Sequence, residues 1–158
     1  MDIHSLLTEQ TILKDVEAGK KVDLFATMMG SLSDRFNAED LESILVAVIE
    51  REAIMSTGVG KGLAIPHAKT NLVVSNHAVF AVLKEGIEFD SIDGIPVNMV
   101  FLLIGPSQNN SSHIKLLSRI SRLMNSSTFR DKILECETSN EILEAFTEEE
   151  HKFFPAST

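Results

Sequence analysis

The sequence predicts a single α/β domain in which one mixed β-sheet is flanked by helices. The chain has 158 residues, of which 44% are hydrophobic, enough for one compact core with little room for a second. Two nearly continuous apolar runs, residues 78–83 and 97–104, have the composition of strands buried on both faces. Helical periodicity precedes these runs and returns after them, an order typical of an α/β layered fold.

Two helices are predicted before the strands. Residues 21–36 carry apolar side chains at helical spacing. Asn37 is a favourable N-cap for the second helix, whose first turn is acidic and which is expected to end near Arg51 or Glu52. The positions expected to face inward in this second helix are Leu41, Ile44, Leu45, Val48 and Ile49.

Short β elements are expected next, around a glycine-spaced stretch. Glycines at positions 58, 60 and 62 predict a loop that leads into a short buried strand at residues 63–65. Pro66 cannot donate to a sheet ladder, so pairing is expected to stop or become irregular there, and His67 would be the first residue beyond that stop. The sequence also predicts a further short strand at residues 87–89 and a turn at residues 93–94. The second long strand is expected to end at residues 105–106.

The C-terminal part is expected to be helical. A helix is predicted to begin at His113, capped by Ser112 or Ser111, followed by a short helix over residues 129–134 and a last helix from a capping box at 138–141 to about Phe146. The inner face of the first of these helices is expected to carry Ile114, Leu117, Ile120, Leu123 and Met124. The domain is assigned to residues 1–150, and residues 151–158 are expected to form a loosely held tail in which two phenylalanines could dock.

Composition and charge exclude several classes of protein. No apolar run reaches the ~20 residues needed to cross a bilayer, and the N-terminus lacks the pattern of a signal peptide, so no membrane insertion is expected. Cys136 is the only cysteine, which fits a reducing cytoplasm. The net charge of −9 argues against nucleic-acid binding, because phosphates would be repelled, and favours a protein partner.

Two of the five histidines are candidates for chemistry. His67 follows a buried strand and His113 opens a helix, and strand ends and helix N-termini meet at one rim of such a sheet, where anions bind. A metal site needs about three protein ligands, and no such motif flanks either histidine, so no metal or other cofactor is expected. Serine-hydrolase and P-loop motifs are also absent from the sequence. From the residues alone, a partly buried structural histidine remains the stronger alternative.

Residues 56–68, STGVGKGLAIPHA, closely resemble the active-site signature of the fructose/mannitol-type EIIA domains of the bacterial phosphoenolpyruvate:sugar phosphotransferase system. That branch includes the stand-alone nitrogen-regulatory EIIA. The resemblance extends to residues 51–52 and 110–113 and covers nearly the whole chain. It implies the EIIA fructose/mannitol-type fold and a phosphotransferase component with a phosphohistidine intermediate.

The resemblance also implies a role for individual residues. His67 would take a phosphoryl group from the phosphocarrier protein HPr and pass it to an EIIB partner or a regulatory target. His113 matches a second active-site histidine, Arg51 an arginine that supports the phosphoryl group, and Thr57 a hydroxyl near the phosphate. Lys61 departs from the relatives, in which this position is often neutral or acidic, and would place a cation in the active-site loop.

Two roles share this chemistry. The absence of a fused EIIB, HPr or membrane segment in the sequence favours the nitrogen-regulatory type. The alternative is a sugar-transport EIIA that passes phosphate to an EIIB partner. Neighbouring genes for EIIB and a membrane EIIC would favour transport.

Overall fold

The computed structural model describes residues 2–154, which contain five α-helices and a six-stranded sheet. The helices are α1 Lys21–Gly30, α2 Ala38–Ile54, α3 Asn110–Met124, α4 Ser127–Glu135 and α5 Ser139–Phe153. The strands are β1 Ile12–Val16, β2 Gly58–Gly60, β3 Leu63–Ala64, β4 His67–Thr70, β5 His77–Ile87 and β6 Val97–Pro106. No helix among residues 2–154 is long and apolar enough to span a bilayer.

The sheet is mixed and is organised around β6. Strand β5 pairs antiparallel with β6 along one edge, and β1 extends the sheet beyond β5 as a parallel neighbour. On the other edge of β6, β3 and then β4 pair parallel with successive parts of it, and β2 pairs antiparallel with β3. The predicted mixed sheet flanked by helices is confirmed.

Both faces of the central strands are covered, as their apolar composition predicts. On one face Phe80 and Phe101 pack with residues of α3, α4 and α5, and on the other Val79 and Val100 pack with residues of α1 and α2. All four side chains are completely buried. Alternation along a strand sends successive side chains to opposite faces, so a strand between two helical layers must be apolar throughout.

Several predicted boundaries are wrong in the first half of the chain. Strand β1 was not predicted, because only its pairing with β5 makes this short segment a strand. Helix α1 ends at Gly30, and residues 31–35 form turns that keep Leu32 buried. The helical spacing of apolar residues therefore continues beyond the end of the helix itself. Helix α2 is capped by Asn37 as predicted but runs on to Ile54. Residue 87 ends β5 after an irregularity in pairing, so residues 87–89 are not a separate strand.

The prediction that pairing stops at Pro66 is only partly correct. The strand is interrupted at residues 65–66, but the Pro66 carbonyl accepts a hydrogen bond from the backbone N–H of Leu103, at 3.0 Å. His67 therefore begins β4, with Leu103 as its partner on β6, instead of lying beyond the sheet. Proline lacks only a donor, so a parallel neighbour can still use its carbonyl.

The predicted start of α3 is also corrected. The helix begins at Asn110, and its cap is Asn109, whose side chain accepts the Ser112 N–H at 3.1 Å. His113 thus lies at the fourth helical position, and it faces inward, whereas Ile114 is 65% exposed.

The last helix is longer than predicted. Thr138 caps α5 as expected, and the helix continues beyond Phe146 to Phe153. Phe154 packs against Arg119 of α3, whose guanidinium carbon lies 3.9 Å from the ring centroid. The rest of the predicted tail, residues 155–158, lies outside the described residues.

Candidate functional site

The sheet and two helices bring the predicted histidines together in one cleft, here called the histidine cleft. Arg51 and Ile54 of α2, His67 and Lys69 of β4, and His113 and Ile114 of α3 line it. The centroids of the His67 and His113 rings are 5.6 Å apart, with the planes inclined by 57°. The structure therefore places His67, His113 and Arg51 around one cleft.

The backbone fixes the orientation of the His67 ring. Its Nδ1 lies 3.0 Å from the carbonyl oxygen of Ile65, two residues earlier. A carbonyl can only accept, so Nδ1 carries the proton and the lone pair of the neutral ring is on Nε2. Burial lowers the pKa of His67, the bond to Ile65 opposes that shift, and the positive charge of Arg51 adds to it. Near pH 7 the ring is neutral and Nε2 is nucleophilic.

His113 is a buried imidazole without a hydrogen-bond partner on either ring nitrogen among the described residues. It is 4% exposed, and burial, followed by the charges of His67 and Lys69, lowers its pKa to about 4. Buried polar groups are nearly always paired, so an unpaired one beside a nucleophile is a candidate for contact with a bound group. A neutral imidazole can donate one hydrogen bond to such a group.

Gly105 of β6 makes room for the His113 ring. A Cβ atom at this position would lie 2.9 Å from Nδ1 of His113 and 2.6 Å from Oδ1 of Asn76. The absence of a side chain at position 105, near the end of β6, therefore allows the second histidine to take its position.

Two cations, Arg51 and Lys69, and one carboxylate, Glu50, line the histidine cleft. Arg51 lies in the last turn of α2, and its guanidinium donates to the carbonyl of Met55 at 3.0 Å, which holds it near the helix end. Lys69, which the sequence analysis missed, bonds to the side-chain oxygen of Asn110. The alternation of a strand, which places residues 67 and 69 on one face, is the signal that could have found it.

Thr57 lies outside the lining of the histidine cleft and supports its loop. Its hydroxyl and N–H both donate to the buried carboxylate of Glu52, and Lys21 donates to the same carboxylate at 2.8 Å. The Thr57 carbonyl in turn accepts the N–H of Ile65 at 3.0 Å. Because the Ile65 carbonyl holds His67, hydrogen bonds and one stretch of backbone connect Glu52 to the nucleophile. Glu52 follows Arg51 directly in the sequence, but no local pattern there indicates its role.

Lys61 also lies outside the histidine cleft. Its ammonium group lies 3.2 Å from the side-chain oxygen of Asn125, and it lines a different pocket. Among residues 2–154 no group of three histidine, cysteine or carboxylate side chains is arranged to hold a metal ion. The histidine cleft thus offers a neutral nucleophile, a neutral imidazole donor and two cations beside the single carboxylate of Glu50, a set suited to a transferable anionic group.

Comparison with known proteins gives a consistent result. The family model described as "Phosphoenolpyruvate-dependent sugar phosphotransferase system, EIIA 2" matches residues 5–149. A fructose-specific EIIA component of Haloferax volcanii is 31% identical over 93% of this chain and 96% of its own length. A nitrogen regulatory protein of Bradyrhizobium diazoefficiens is 30% identical over 84% of this chain and 86% of its own length. The fructose-specific EIIABC component of Bacillus subtilis is 34% identical over 91% of this chain, which spans 23% of that protein.

Solved structures agree with the fold. The nitrogen regulatory protein IIA-Ntr of Neisseria meningitidis superposes with a TM-score of 0.84 at 26% identity, covering 91% of this chain and 98% of that one. The IIA mannitol structure from Escherichia coli has a TM-score of 0.73 at 18% identity, over 89% of this chain and 98% of that one, and shows the fold alone.

Proposed function

This chain belongs to the EIIA 2 family of the phosphoenolpyruvate-dependent sugar phosphotransferase system, and we propose that it carries a phosphoryl group on Nε2 of His67. The observation that carries the proposal is the bond from Nδ1 of His67 to the Ile65 carbonyl. This bond fixes the ring and leaves Nε2, the free nitrogen, as the nucleophile. The proposed donor is HPr, as the family resemblance implies.

The transfer requires positioning and charge compensation, with no change of oxidation state. Nε2 of His67 attacks the phosphorus of the donor's phosphohistidine, and the new N–P bond forms as the donor's N–P bond breaks. The electron pair of the broken bond stays on the donor imidazole. Because the transition state spreads charge over three equatorial oxygens, hydrogen-bond donors and cations around His67 stabilise it.

We assign stabilisation of the charge on the equatorial oxygens to side chains of the histidine cleft. His113 donates from its unpaired ring, whose surroundings disfavour a charge when no phosphoryl group is present. Arg51 and Lys69 supply positive charge. Thr57 contributes indirectly, since its hydroxyl bonds to Glu52 and its carbonyl holds the loop before His67.

The surroundings of the histidine cleft favour a protein as the phosphoryl donor. Ile54, Met55 and Ile114 are 81%, 70% and 65% exposed. Ile54 and Ile114 line the cleft and Met55 follows α2 directly. Exposed apolar side chains around a reactive group are typical of an interaction surface. We assign them to docking of HPr and then of the acceptor.

For the acceptor, we favour the nitrogen-regulatory role. The solved IIA-Ntr structure superposes with a TM-score of 0.84, against 0.73 for IIA mannitol. Sugar transport is the second candidate, because the fructose-specific EIIA component of Haloferax volcanii matches over nearly its full length.

Intact-mass measurement after incubation with phosphoenolpyruvate, enzyme I and HPr tests the phosphoryl site. The wild-type chain should gain one phosphoryl group, and His67→Ala should gain none while its circular dichroism spectrum stays unchanged. His77→Ala is the matched control, because this histidine bonds to Arg35 away from the cleft and its loss should leave labelling intact. Labelling of the His67→Ala protein would contradict the assignment.

A second measurement separates the two roles. The labelled chain is mixed with the EIIB encoded in the same genome, and loss of label from His67 is followed by mass. Rapid transfer to EIIB would favour sugar transport. A stable label, with binding to other proteins that differs between the labelled and unlabelled forms, would favour regulation.

A further inference from the structure

A second pocket lies where the turn between β2 and β3 meets the end of α3 and the start of α4. It has a volume of about 370 Å³, within the range of small-molecule sites. We call it the Lys61 pocket. Its lining combines three cations, Lys61, Arg122 and Arg130, with the apolar residues Val59, Leu63, Ile65 and Met124.

The cations of the Lys61 pocket are not neutralised. Among residues 2–154, no carboxylate lines the pocket, and Lys61, Arg122 and Arg130 form no ion pair within 4.0 Å. Their contacts are with neutral groups: the Asn125 side chain for Lys61, the Met124 carbonyl for Arg130 at 2.7 Å and the ring of Phe154 for Arg122. In a chain of net charge −9, three cations that line one pocket without a counter-ion favour an anionic ligand, although the Arg122 guanidinium also faces a neighbouring pocket lined by Phe154.

The accessible apolar surface of the Lys61 pocket comes from Val59, which is 53% exposed. Leu63 and Ile65 are 4% and 5% exposed and Met124 is completely buried, so these side chains belong to the packed core behind the pocket and offer almost no surface to a ligand. An inorganic anion would leave Val59 without a contact, whereas the organic part of a larger anion could cover it.

The turn that carries Lys61 is held rigidly. Lys61 has φ +61°, and its N–H donates to the Asp93 carboxylate at 2.8 Å. The glycines on either side, Gly60 and Gly62, also have positive φ, and a Cβ on Gly60 would come within 3.0 Å of Asp93. A fixed backbone reduces the entropy lost when a ligand binds to side chains that it carries.

We propose that the Lys61 pocket binds a small organic phosphate monoester. The phosphate contacts Lys61, Arg122 and Arg130, and the organic part lies against Val59. A monoester carries nearly two negative charges at neutral pH, and guanidinium groups match the geometry of phosphate oxygens. This site is separate from the histidine cleft and does not depend on the function proposed for His67.

The test is a titration of the full chain, labelled with ¹⁵N, with phenyl phosphate, followed by amide chemical shifts. We expect saturable shifts at Gly60, Lys61, Asn125 and Arg130. Lys61→Gln, Arg122→Gln and Arg130→Gln should each weaken binding about tenfold, as expected for loss of one charge-assisted hydrogen bond. Lys84→Gln is the matched control, since it removes the same charge at an exposed position paired with Glu17.

Three results would overturn the proposal. The first is a set of chemical-shift changes confined to the amides of residues 67, 69 and 113, together with loss of binding in Lys69→Gln. This result would place the phosphate in the histidine cleft. The second is equal affinity for inorganic phosphate, which would give the apolar side chain of Val59 no role. The third is absence of saturable binding in the wild-type chain. Arg122→Gln keeps the test valid if Arg130→Gln disturbs the fold through its lost bond to Met124.

Discussion

His113 combines a structural penalty with the donor role that we propose for it. Its ring is buried beside His67, and neither nitrogen has a partner among residues 2–154. An unsatisfied buried polar group costs about 1–3 kcal/mol, a cost that a phosphoryl oxygen on His67 would relieve. Under the proposed function, His113 therefore gains its missing hydrogen bond only when His67 carries the phosphoryl group.

Replacement of this donor should slow the transfer without moving the label. We expect His113→Ala to accept the phosphoryl group on His67 about 10²–10³-fold more slowly, as when one preorganised donor is lost. His113→Asn, which keeps a donor, should recover part of the rate. Rapid-quench phosphorylation by phospho-HPr measures both variants. An unchanged rate would make His113 a structural residue, and complete loss of labelling in a folded variant would give it a share in the nucleophilic step.

The same histidine should make stability depend on pH. Its pKa is lowered to about 4 in the folded chain, whereas an unfolded histidine titrates near 6.5. Between these values the unfolded chain binds the proton and the folded chain does not, so stability falls as the pH falls. Relative to His113→Asn, the wild-type chain should lose about 3 kcal/mol between pH 6.5 and pH 4.

Urea denaturation of both proteins across this range measures the difference. The carboxylates and His67 titrate in both, so the difference reports His113 together with its electrostatic interaction with His67. Parallel stability curves for the two proteins would show that the His113 ring is protonated as easily in the folded chain as in the unfolded one.

At the scale of elements, the end of β6 and the first turn of α3 depend on each other. Helix α3 can place His113 beside β4 only because position 105 has no side chain. The Asn109 cap fixes the start of the helix, and the polar loop before it lets the chain turn from the strand. The close approach of the His113 ring to the backbone of Gly105 thus determines where the second imidazole lies.

Gly105→Ala should disturb this junction. The new methyl group would meet His113 and Asn76, and overpacking of this kind costs about 1–3 kcal/mol of stability. We expect slower phosphorylation of His67 together with that loss, measured by rapid quench and urea denaturation. Gly19→Ala is the control, because no atom lies within 4 Å of the added methyl position. A Gly105→Ala protein with the wild-type rate would show that the ring position is not critical.

At the scale of the whole molecule, one buried carboxylate joins the two ends of the described chain. Glu150 of α5 is 1% exposed and accepts hydrogen bonds from the N–H groups of Ile3 and His4, from the His4 ring and from Arg119. Burial alone would raise its pKa, but these donors together hold the pKa below its usual value. The N-terminal segment is thereby fixed against α5 and α3.

Glu150→Gln should weaken this junction strongly. The amide cannot accept all four hydrogen bonds, and Arg119 loses its buried partner, so the free energy of unfolding should fall by about 3 kcal/mol. Glu149→Gln, which removes the adjacent charge, should change it by less than about 0.5 kcal/mol. Urea denaturation at pH 7 compares the two variants. Equal effects would indicate that net charge, and not the buried network, is responsible.

Much of the candidate site was predictable from the sequence, because its signals are local. The motif before His67, the histidine at the start of α3 and the arginine at the end of α2 can each be found within a few residues of chain. Lys69 and the supporting role of Glu52 could not be predicted, because each depends on contacts with segments distant in the sequence. Lys69 bonds to Asn110 of α3. Glu52 accepts hydrogen bonds from Lys21 of α1 and from the loop at Thr57.

The sequence by itself determined the α/β class, the two central strands and the candidate nucleophile, since apolar periodicity and motif spacing are properties of short segments. Only the tertiary structure decided that residues 12–16 form a strand, that Glu150 binds the N-terminus, and that Lys61 lines a pocket apart from His67. Periodicity shows which side of a segment is buried but not which distant segment covers it. Pairing, ion partners and pockets are formed between segments, and they are therefore determined only when the whole chain packs.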